Sequence, residues 1–256
     1  MKITDFYRFR KDRKISIITC YDYCFAKIVS KSAIDSVLVG DSLAMTVYGY
    51  PSTIYATEEM MIRHTEAVRK GLGNEKLIIT DMPFLSTRKG AQKAIETAGN
   101  LIKAGADAVK IENITGQERI IREIIESGIP VMGHLGVTPQ YIKYLGNYSK
   151  KGKEKQEAND LIKDAVKMQK TGCFSIVLEC VEVSIAKKIS KKLKIAVIGI
   201  GSGKDTDGQV LVINDILGLF PSPPSFARVY ERLDEKILNA LNKFDSDVKG
   251  DRNGNI

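Results

Sequence analysis

Closely spaced metal-binding or redox cysteines are missing from this chain. Its 256 residues include four cysteines, Cys20, Cys24, Cys173 and Cys180, with no C-x-x-C pair, and only two histidines, His64 and His134. A structural zinc centre needs four ligands at close spacing, so that class is excluded and reduced, mostly buried thiols are expected. Long apolar runs are also missing, since none approaches the roughly 18 residues of a membrane span. The opening Met1-Lys2-Ile3-Thr4-Asp5-Phe6-Tyr7-Arg8 lacks the apolar core of a secretory signal, so a cytoplasmic protein without a membrane partner is expected. The glycine loop Gly199-Ile200-Gly201-Ser202-Gly203-Lys204 fails G-x-G-x-x-G from either starting glycine, and Asp205 follows Lys204 where a P-loop has Ser or Thr. It is weak support for a nucleotide cofactor. Aromatic residues are absent from the densest basic block, Lys150-Lys151-Gly152-Lys153-Glu154-Lys155. The net charge of +8 therefore reads as lysines spread over helix faces, such as Lys187, Lys188, Lys191, Lys192 and Lys194. Such a surface can attract an anionic substrate, and no nucleic-acid partner is expected.

What is present is a repeat of short β-branched runs and amphipathic stretches. Hydrophobic residues make up 43% of the chain, enough for a substantial core. Candidate strands fall at 16–19, 36–39, 77–80, 108–111, 131–133, 175–178, 196–199 and 210–213. Between most of them lie candidate helices, among them 58–70, 91–103, 117–127 and 156–170, the first capped by Thr57 with Glu58-Glu59 in its first turn. Eight β-then-α units predict an α/β fold, a (βα)8 TIM barrel. A doubly wound sheet is the runner-up, but it usually has fewer strands and a nucleotide-binding glycine loop. A short helix at 4–13 is expected to cover the barrel's amino-terminal end. A C-terminal helix is expected at 226–244, after the breaker Pro221-Ser222-Pro223-Pro224. One domain over 1–244 with a disordered polar tail at 245–256 is the expected organisation.

Polar groups stand where the apolar runs end. Asp41 follows Val37-Leu38-Val39, Asp81 follows Leu77-Ile78-Ile79-Thr80, His134 follows Val131-Met132-Gly133 and Glu179 follows Ile176-Val177-Leu178. In Val109-Lys110-Ile111-Glu112 the period of two turns Lys110 and Glu112 to one face and the apolar pair to the other. Parallel α/β folds build their sites at the carboxyl ends of strands, so these side chains face one mouth. Carboxylates gathered there imply a cation, because like charges repel strongly at close range. Asp41, Asp81 and Glu112 offer hard oxygen donors suited to Mg2+. Glu179 suits a base, its pKa open to tuning by burial and neighbouring charge. His134, beside Gly133 and Gly136, is placed for function, whereas His64 lies inside a helical stretch.

These blocks together resemble the ketopantoate hydroxymethyltransferase family. The resemblance is carried by Val39-Gly40-Asp41-Ser42-Leu43-Ala44-Met45, Asp81-Met82-Pro83-Phe84, Val109-Lys110-Ile111-Glu112, Gly133-His134-Leu135-Gly136-Val137-Thr138-Pro139-Gln140, Val177-Leu178-Glu179-Cys180 and Ile198-Gly199-Ile200-Gly201-Ser202-Gly203. It implies transfer of a hydroxymethyl group from methylenetetrahydrofolate to 3-methyl-2-oxobutanoate (α-ketoisovalerate), giving 2-dehydropantoate on the route to pantothenate. It further implies Asp41, Asp81 and Glu112 as Mg2+ ligands, with Asp41, Ser42, Asp81 and Lys110 contacting the keto acid. Glu179 is the implied proton acceptor, Lys110 the positive charge beside the oxyanion and His134 a site residue near the incoming one-carbon unit, and the assembly is implied to be a homodecamer of two pentamers. Tyr48-Gly49-Tyr50-Pro51, Leu85-Ser86-Thr87 and Ser149-Lys150-Lys151-Gly152 depart from the family pattern in rim loops that bear on folate fit. A metal-dependent aldolase or lyase of other keto-acid specificity is the alternative on the same barrel. A Schiff-base aldolase using Lys110 fits less well, since its chemistry needs no metal. A basic binding protein that has kept only the barrel would not need this set of charged strand ends.

Overall fold

In a computed structural model, which describes residues 2–220 and 223–250, eight parallel strands pair in chain order and close on themselves. They are β1 Ile15–Thr19, β2 Ser36–Val39, β3 Leu77–Asp81, β4 Ala108–Glu112, β5 Val131–Gly136, β6 Ser175–Glu179, β7 Ala196–Ile200 and β8 Gly208–Leu211. The expected (βα)8 barrel is the observed fold. β7 is flanked by β6 and β8, and the ring is drawn shut where the Ile15 N–H donates to Asp207 O at 3.0 Å. Both faces of most strands are buried, one in the lumen and one under helices, which is why the runs are almost continuously apolar.

The helices are α1 Ile3–Asp12, α2 Tyr23–Ser30, α3 Leu43–Thr46, α4 Glu58–Leu72, α5 Ala91–Lys103, α6 Glu118–Glu126, α7 Ile142–Leu145, α8 Lys155–Thr171, α9 Val183–Lys192, α10 Ile213–Ile216 and α11 Leu233–Gly250. α4 shows how sequence fixes them. Thr57 accepts the Met60 N–H, Glu58 and Glu59 sit at the positive end, and Arg69 and Lys70 sit at the negative end. Its buried residues Met61, Thr65, Val68 and Leu72 form one helical stripe, and Gly73 stops it at φ 63°.

The amino-terminal floor of the lumen is apolar. Phe6 of α1 packs edge-on against Phe174 with ring centroids 5.2 Å apart, in a cluster with Ile17, Leu38, Leu77, Ala108, Met132 and Ala196. The leading helix thus closes the bottom of the barrel, as expected.

Three boundaries differ from expectation. β8 begins two residues earlier than 210–213, because Gly208 lets that strand lie against β1. A Cβ at Gly208 would stand 2.4 Å from Ile15 O, and Ile213 instead opens α10. The last helix starts at Leu233, not 226, since the Tyr230 and Leu233 N–H groups donate back to Ile216 O and Leu217 O and hold that stretch out of helix. The disordered tail expected from 245 is corrected for residues 245–250, which continue α11 to Gly250 with Lys249 bonded to Asp245. Residues 251–256 and Pro221-Ser222 of the breaker lie outside the described residues. The chain groups into two compact units, Met1–Val210, which carries the candidate site, and Leu211–Ile256, which carries α10 and α11. No helix among the described residues is long and apolar enough to cross a membrane.

Candidate active site

Strand register decides which charges meet. Asp81 is paired with Lys110 across β3 and β4, and Glu112 with His134 across β4 and β5. Partners in a parallel ladder lie about 4.8 Å apart, so these side chains touch on the lumen face. Lys110 Nζ stands 2.9 Å from Asp81 Oδ1 and 3.2 Å from His134 Nδ1. His134 then bridges two acids, with Nδ1 3.4 Å from Glu112 Oε1 and Nε2 3.3 Å from Glu179 Oε2. Asp41 joins from the end of β2, its N–H donating to Asp81 Oδ2 at 3.0 Å. Lys110, Asp81, Glu112, His134 and Asp41 are all at most 5% exposed, whereas the Glu179 side chain is 18% exposed at the mouth.

The electrostatics follow from this crowding. Burial, then repulsion from Asp81 and Glu112, pushes the Asp41 carboxyl well above the usual carboxylate range. Burial works against the Lys110 ammonium, but Asp81, Glu112 and Asp41 outweigh it and hold its pKa above the ordinary lysine value. For His134, burial and Lys110 favour the neutral ring, while Glu112 and Glu179 prevail and raise its pKa. Asp41 marks a place short of positive charge. Its carboxylate and those of Asp81 and Glu112 are hard oxygen donors, the chemistry that Mg2+ prefers. As placed, no three described His, Cys, Asp or Glu side chains converge as a complete metal cage. The set fits an ion that takes few protein carboxylates and fills its remaining positions with water or substrate oxygens.

Sequence reading missed the supporting roles of Gln140 and Ser202. Gln140, in the 3-10 turn Pro139–Tyr141 after β5, donates its Nε2 to Asp41 Oδ2 (2.8 Å) and Met82 O (2.9 Å), and its N–H to Glu112 Oε2 (3.0 Å). A proline-led turn three residues past a strand end was the available signal. Ser42 stands just outside the charge cluster, its Oγ sharing a 2.9 Å hydrogen bond with the buried Tyr21 hydroxyl. Ser202, inside the glycine loop, accepts from the Val181 N–H and donates to Leu178 O, bracketing Glu179. That loop serves β6 and β7 packing. Gly136, at φ 99°, is needed because a Cβ there would lie 2.2 Å from Glu179 O.

The mouth also has a cover. Lys151 pairs with Val181, its N–H donating to Cys180 O and its own carbonyl accepting from Glu182 N–H. This pins the loop that carries Tyr148, whose phenol is pushed up by burial, then by Glu179, Glu112 and Asp41. Nothing in the composition of Asn147-Tyr148-Ser149 announced that position. Positive φ at Asn113 and Cys180, directly after Glu112 and Glu179, adds local strain of the kind found at working sites. All four cysteines are free; Cys20 and Cys173 are buried, each thiol pushed up to about 12 by burial, while Cys24 is exposed. His64 is structural in its contacts, sharing hydrogen bonds with Tyr21 O and the Tyr48 hydroxyl. In the basic block, Lys150 lies 3.9 Å from Glu182 and Lys151 3.7 Å from Glu157.

Comparison with known proteins identifies the family. The family model described as ketopantoate hydroxymethyltransferase matches residues 1–253. A 3-methyl-2-oxobutanoate hydroxymethyltransferase of Saccharolobus islandicus is 47% identical over 251 residues, covering 98% of this chain and 94% of that protein. One from Legionella pneumophila is 47% identical over 252 residues, 97% of this chain and 96% of the relative. Among solved structures, 2,3-dimethylmalate lyase matches with a TM-score of 0.62 at 12% identity, covering 99% of this chain and 89% of that one. Phosphonopyruvate hydrolase in complex with oxalate and Mg++ matches with a TM-score of 0.64 at 10% identity, covering 100% and 90%. At such identities these two share the barrel alone. Matched over nearly its full length by the family model and by relatives at 47% identity, the chain is an enzyme that belongs to the ketopantoate hydroxymethyltransferase family.

Proposed function

We propose that this enzyme adds a hydroxymethyl group to 3-methyl-2-oxobutanoate, with methylenetetrahydrofolate as donor, to give 2-dehydropantoate for pantothenate biosynthesis. The observation that carries the reading is the exposure of Glu179 to the mouth, beside a cluster of buried charges. A base must meet substrate, and among the lumen acids Glu179 is the one partly open. In this reading Asp41, Asp81 and Glu112 would hold a divalent cation, Mg2+. When bound, that ion supplies Lewis-acid stabilisation to the oxygens of the keto acid.

The chain's own groups do the rest. Asp41, Ser42, Asp81 and Lys110 bind and orient the keto acid. The proton on its tertiary carbon is too weakly acidic for an unaided carboxylate. Lys110, kept charged by its acidic neighbours, places positive charge where the enolate oxygen develops. Glu179 takes the proton, and His134, 3.3 Å away, orients the Glu179 carboxylate and offsets its charge. The carbon so released forms its new bond to the one-carbon unit of the folate, both carbon–nitrogen bonds of that unit break, water supplies the hydroxyl oxygen, and tetrahydrofolate leaves. Gln140 keeps Asp41 and Glu112 in place throughout.

The test follows the β-hydrogen of 3-methyl-2-oxobutanoate into D2O by NMR, with and without Mg2+. Metal-dependent exchange without folate is expected, and its loss in Glu179→Gln. Exchange that persists in the variant removes Glu179 from the base role. Formation of 2-dehydropantoate on adding methylenetetrahydrofolate then separates the transferase from an aldolase or lyase.

The reading extends to a cytoplasmic homodecamer of two pentamers. Free thiols suit a reducing compartment. Ile237, Leu238, Leu241, Phe244 and Val248 of α11 are 48–63% exposed along one helix face, an apolar stripe that suits burial against a second copy. Sedimentation velocity showing a monomer would remove the decamer. Residues 1–244 are read as one folding domain, for which a single cooperative thermal transition is expected and two separate transitions would count against it.

A further inference from the structure

Among the groups assigned above to the keto acid, Ser42 is the uncharged one, and its side chain has a place prepared for it. Gly40 makes the room: a Cβ there would lie 2.8 Å from Ser42 Oγ and 3.6 Å from Asp81 Oδ2. The Ser42 backbone is fixed at the start of α3. Leu43 and Ala44 N–H groups donate to Gly40 O and Asp41 O, while those of Met45 and Thr46 donate to Ser42 O. Thr46 Oγ1 donates to that same carbonyl at 3.1 Å. What these bonds leave undirected is the Ser42 hydroxyl proton. A serine hydroxyl has one proton to give and lone pairs to receive, so a donor on its oxygen sets where the proton points.

Tyr21 is the group that meets it. The Tyr21 hydroxyl lies 2.9 Å from Ser42 Oγ, and the residue is only 3% exposed. It arrives there because the Cys20 N–H donates to Leu38 O at 3.0 Å, extending the pairing of β1 with β2 past Thr19. Asp22, directly after Tyr21, caps α2 by accepting the Phe25 N–H at 2.8 Å. From α4, His64 Nδ1 bonds to the Tyr21 carbonyl. A carbonyl only accepts, so Nδ1 carries the proton, and in the neutral ring Nε2 accepts from the Tyr48 hydroxyl at 3.0 Å. The Tyr21 backbone is thus held by β2, by the α2 cap and by His64, and its phenol reaches Ser42 from a fixed origin.

Resting on the transferase reading above, in which Ser42 contacts the keto acid, we infer that Tyr21 is a positioning residue whose phenol donates to Ser42 Oγ and turns the Ser42 proton toward the substrate. The direction of donation follows from the ligand. An ionised keto acid offers oxygen acceptors and no donor, so the Ser42 proton goes to it. The 2.9 Å contact with Tyr21 is then made by the phenol proton. Phenol, serine and substrate oxygen form one chain of aligned O–H dipoles, in which each bond polarises the next. Acting through Ser42, Tyr21 affects affinity for the keto acid. Lys110 and Glu179, which serve the enolising step, keep their own partners in Asp81 and His134.

A double-mutant cycle on the full-length enzyme tests this with Tyr21→Phe, Ser42→Ala and the two together. The readout is the Kd of 3-methyl-2-oxobutanoate by calorimetry, with Mg2+ and without folate. Tyr21→Phe keeps the buried ring and removes only the hydroxyl. It is expected to raise Kd about three- to tenfold, the weight of one hydrogen bond, with kcat at saturating keto acid unchanged. Ser42→Ala is expected to weaken binding at least as much. Adding Tyr21→Phe to Ser42→Ala is then expected to change Kd by less than about twofold, because the two residues act as one unit. A merely structural loss would appear equally in both backgrounds and would lower kcat and the thermal midpoint as well. Additive losses therefore overturn the inference, as does Tyr21→Phe binding like wild type while Ser42→Ala does not. Ser42→Ala binding like wild type removes Ser42 from the keto acid and the inference with it. A wild-type enzyme that neither binds the keto acid nor exchanges its β-hydrogen in D2O refutes the transferase reading beneath.

Discussion

The two ends of the barrel lumen are built from the same strands two residues apart, yet they do opposite work. Leu77 and Ile79 lead to Asp81 on β3, Ala108 leads to Lys110 and Glu112 on β4, Met132 leads to His134 on β5, and Val177 leads to Glu179 on β6. At the floor the inward positions are apolar and closed by Phe6 against Phe174. At the mouth the same alternation delivers charges, packed so closely that Asp41 is driven well above the usual carboxylate range. The floor contributes stability through burial. The mouth costs stability, because buried charges can lose more in desolvation than they gain from one another. The difference teaches that a parallel barrel can carry a destabilised reaction centre because its apolar layer lies one step away along each strand.

The sharpest way to break this contrast is Glu179→Gln. Turnover is expected to fall by roughly 10²–10⁴, with a thermal midpoint close to that of wild type, as read by steady-state assay and calorimetry. A collapse of the midpoint would mean that the mouth also holds the barrel together. Phe6→Ala should do the converse, costing about 3–5 kcal/mol of stability while the folded enzyme keeps a near-normal kcat/KM at 25 °C. Urea unfolding paired with kinetics checks it.

Metal should act on the mouth alone. Mg2+ at about one hundred times its Kd should add about 2.7 kcal/mol to wild type and to Phe6→Ala, and almost nothing to Asp81→Asn, by thermal shift. The smallest expected effect concerns a buried acid outside the site. Burial pushes Asp215 up to about 6. A raised folded pKa favours the protonated form, so its stabilising share is present below the unfolded value and lost as pH rises through about 6. Asp215→Asn, neutral throughout, should therefore raise the midpoint by ~2–4 °C at pH 8 and match wild type at pH 4. An equal gain at both pH values would show that charge burial is not the cause.

Much of the mouth was legible because the signal is local. An apolar run ending in an acid, or Lys110 and Glu112 separated by one residue, specifies a face by the period of two alone. Gln140 was not legible as a ligand to Asp41, since the two are brought together by a turn after β5 reaching across to β2. Tyr148 was hidden likewise, its loop pinned by the Lys151 bridge to Val181. The β8 boundary was misjudged because the apolar run 210–213 outweighed Gly208, whose importance lies in its contact with Ile15.

The sequence by itself determined the alternation of strand and helix, the barrel that follows from it, and which strand ends carry charge. Those depend on period, capping and composition, which act over a few residues. The tertiary structure alone decided that Asp81 meets Lys110, that His134 joins Glu112 to Glu179, and that the Tyr21 hydroxyl meets Ser42. Register between strands and the path of long loops are set by packing across the whole barrel, and no local pattern encodes the distances that result.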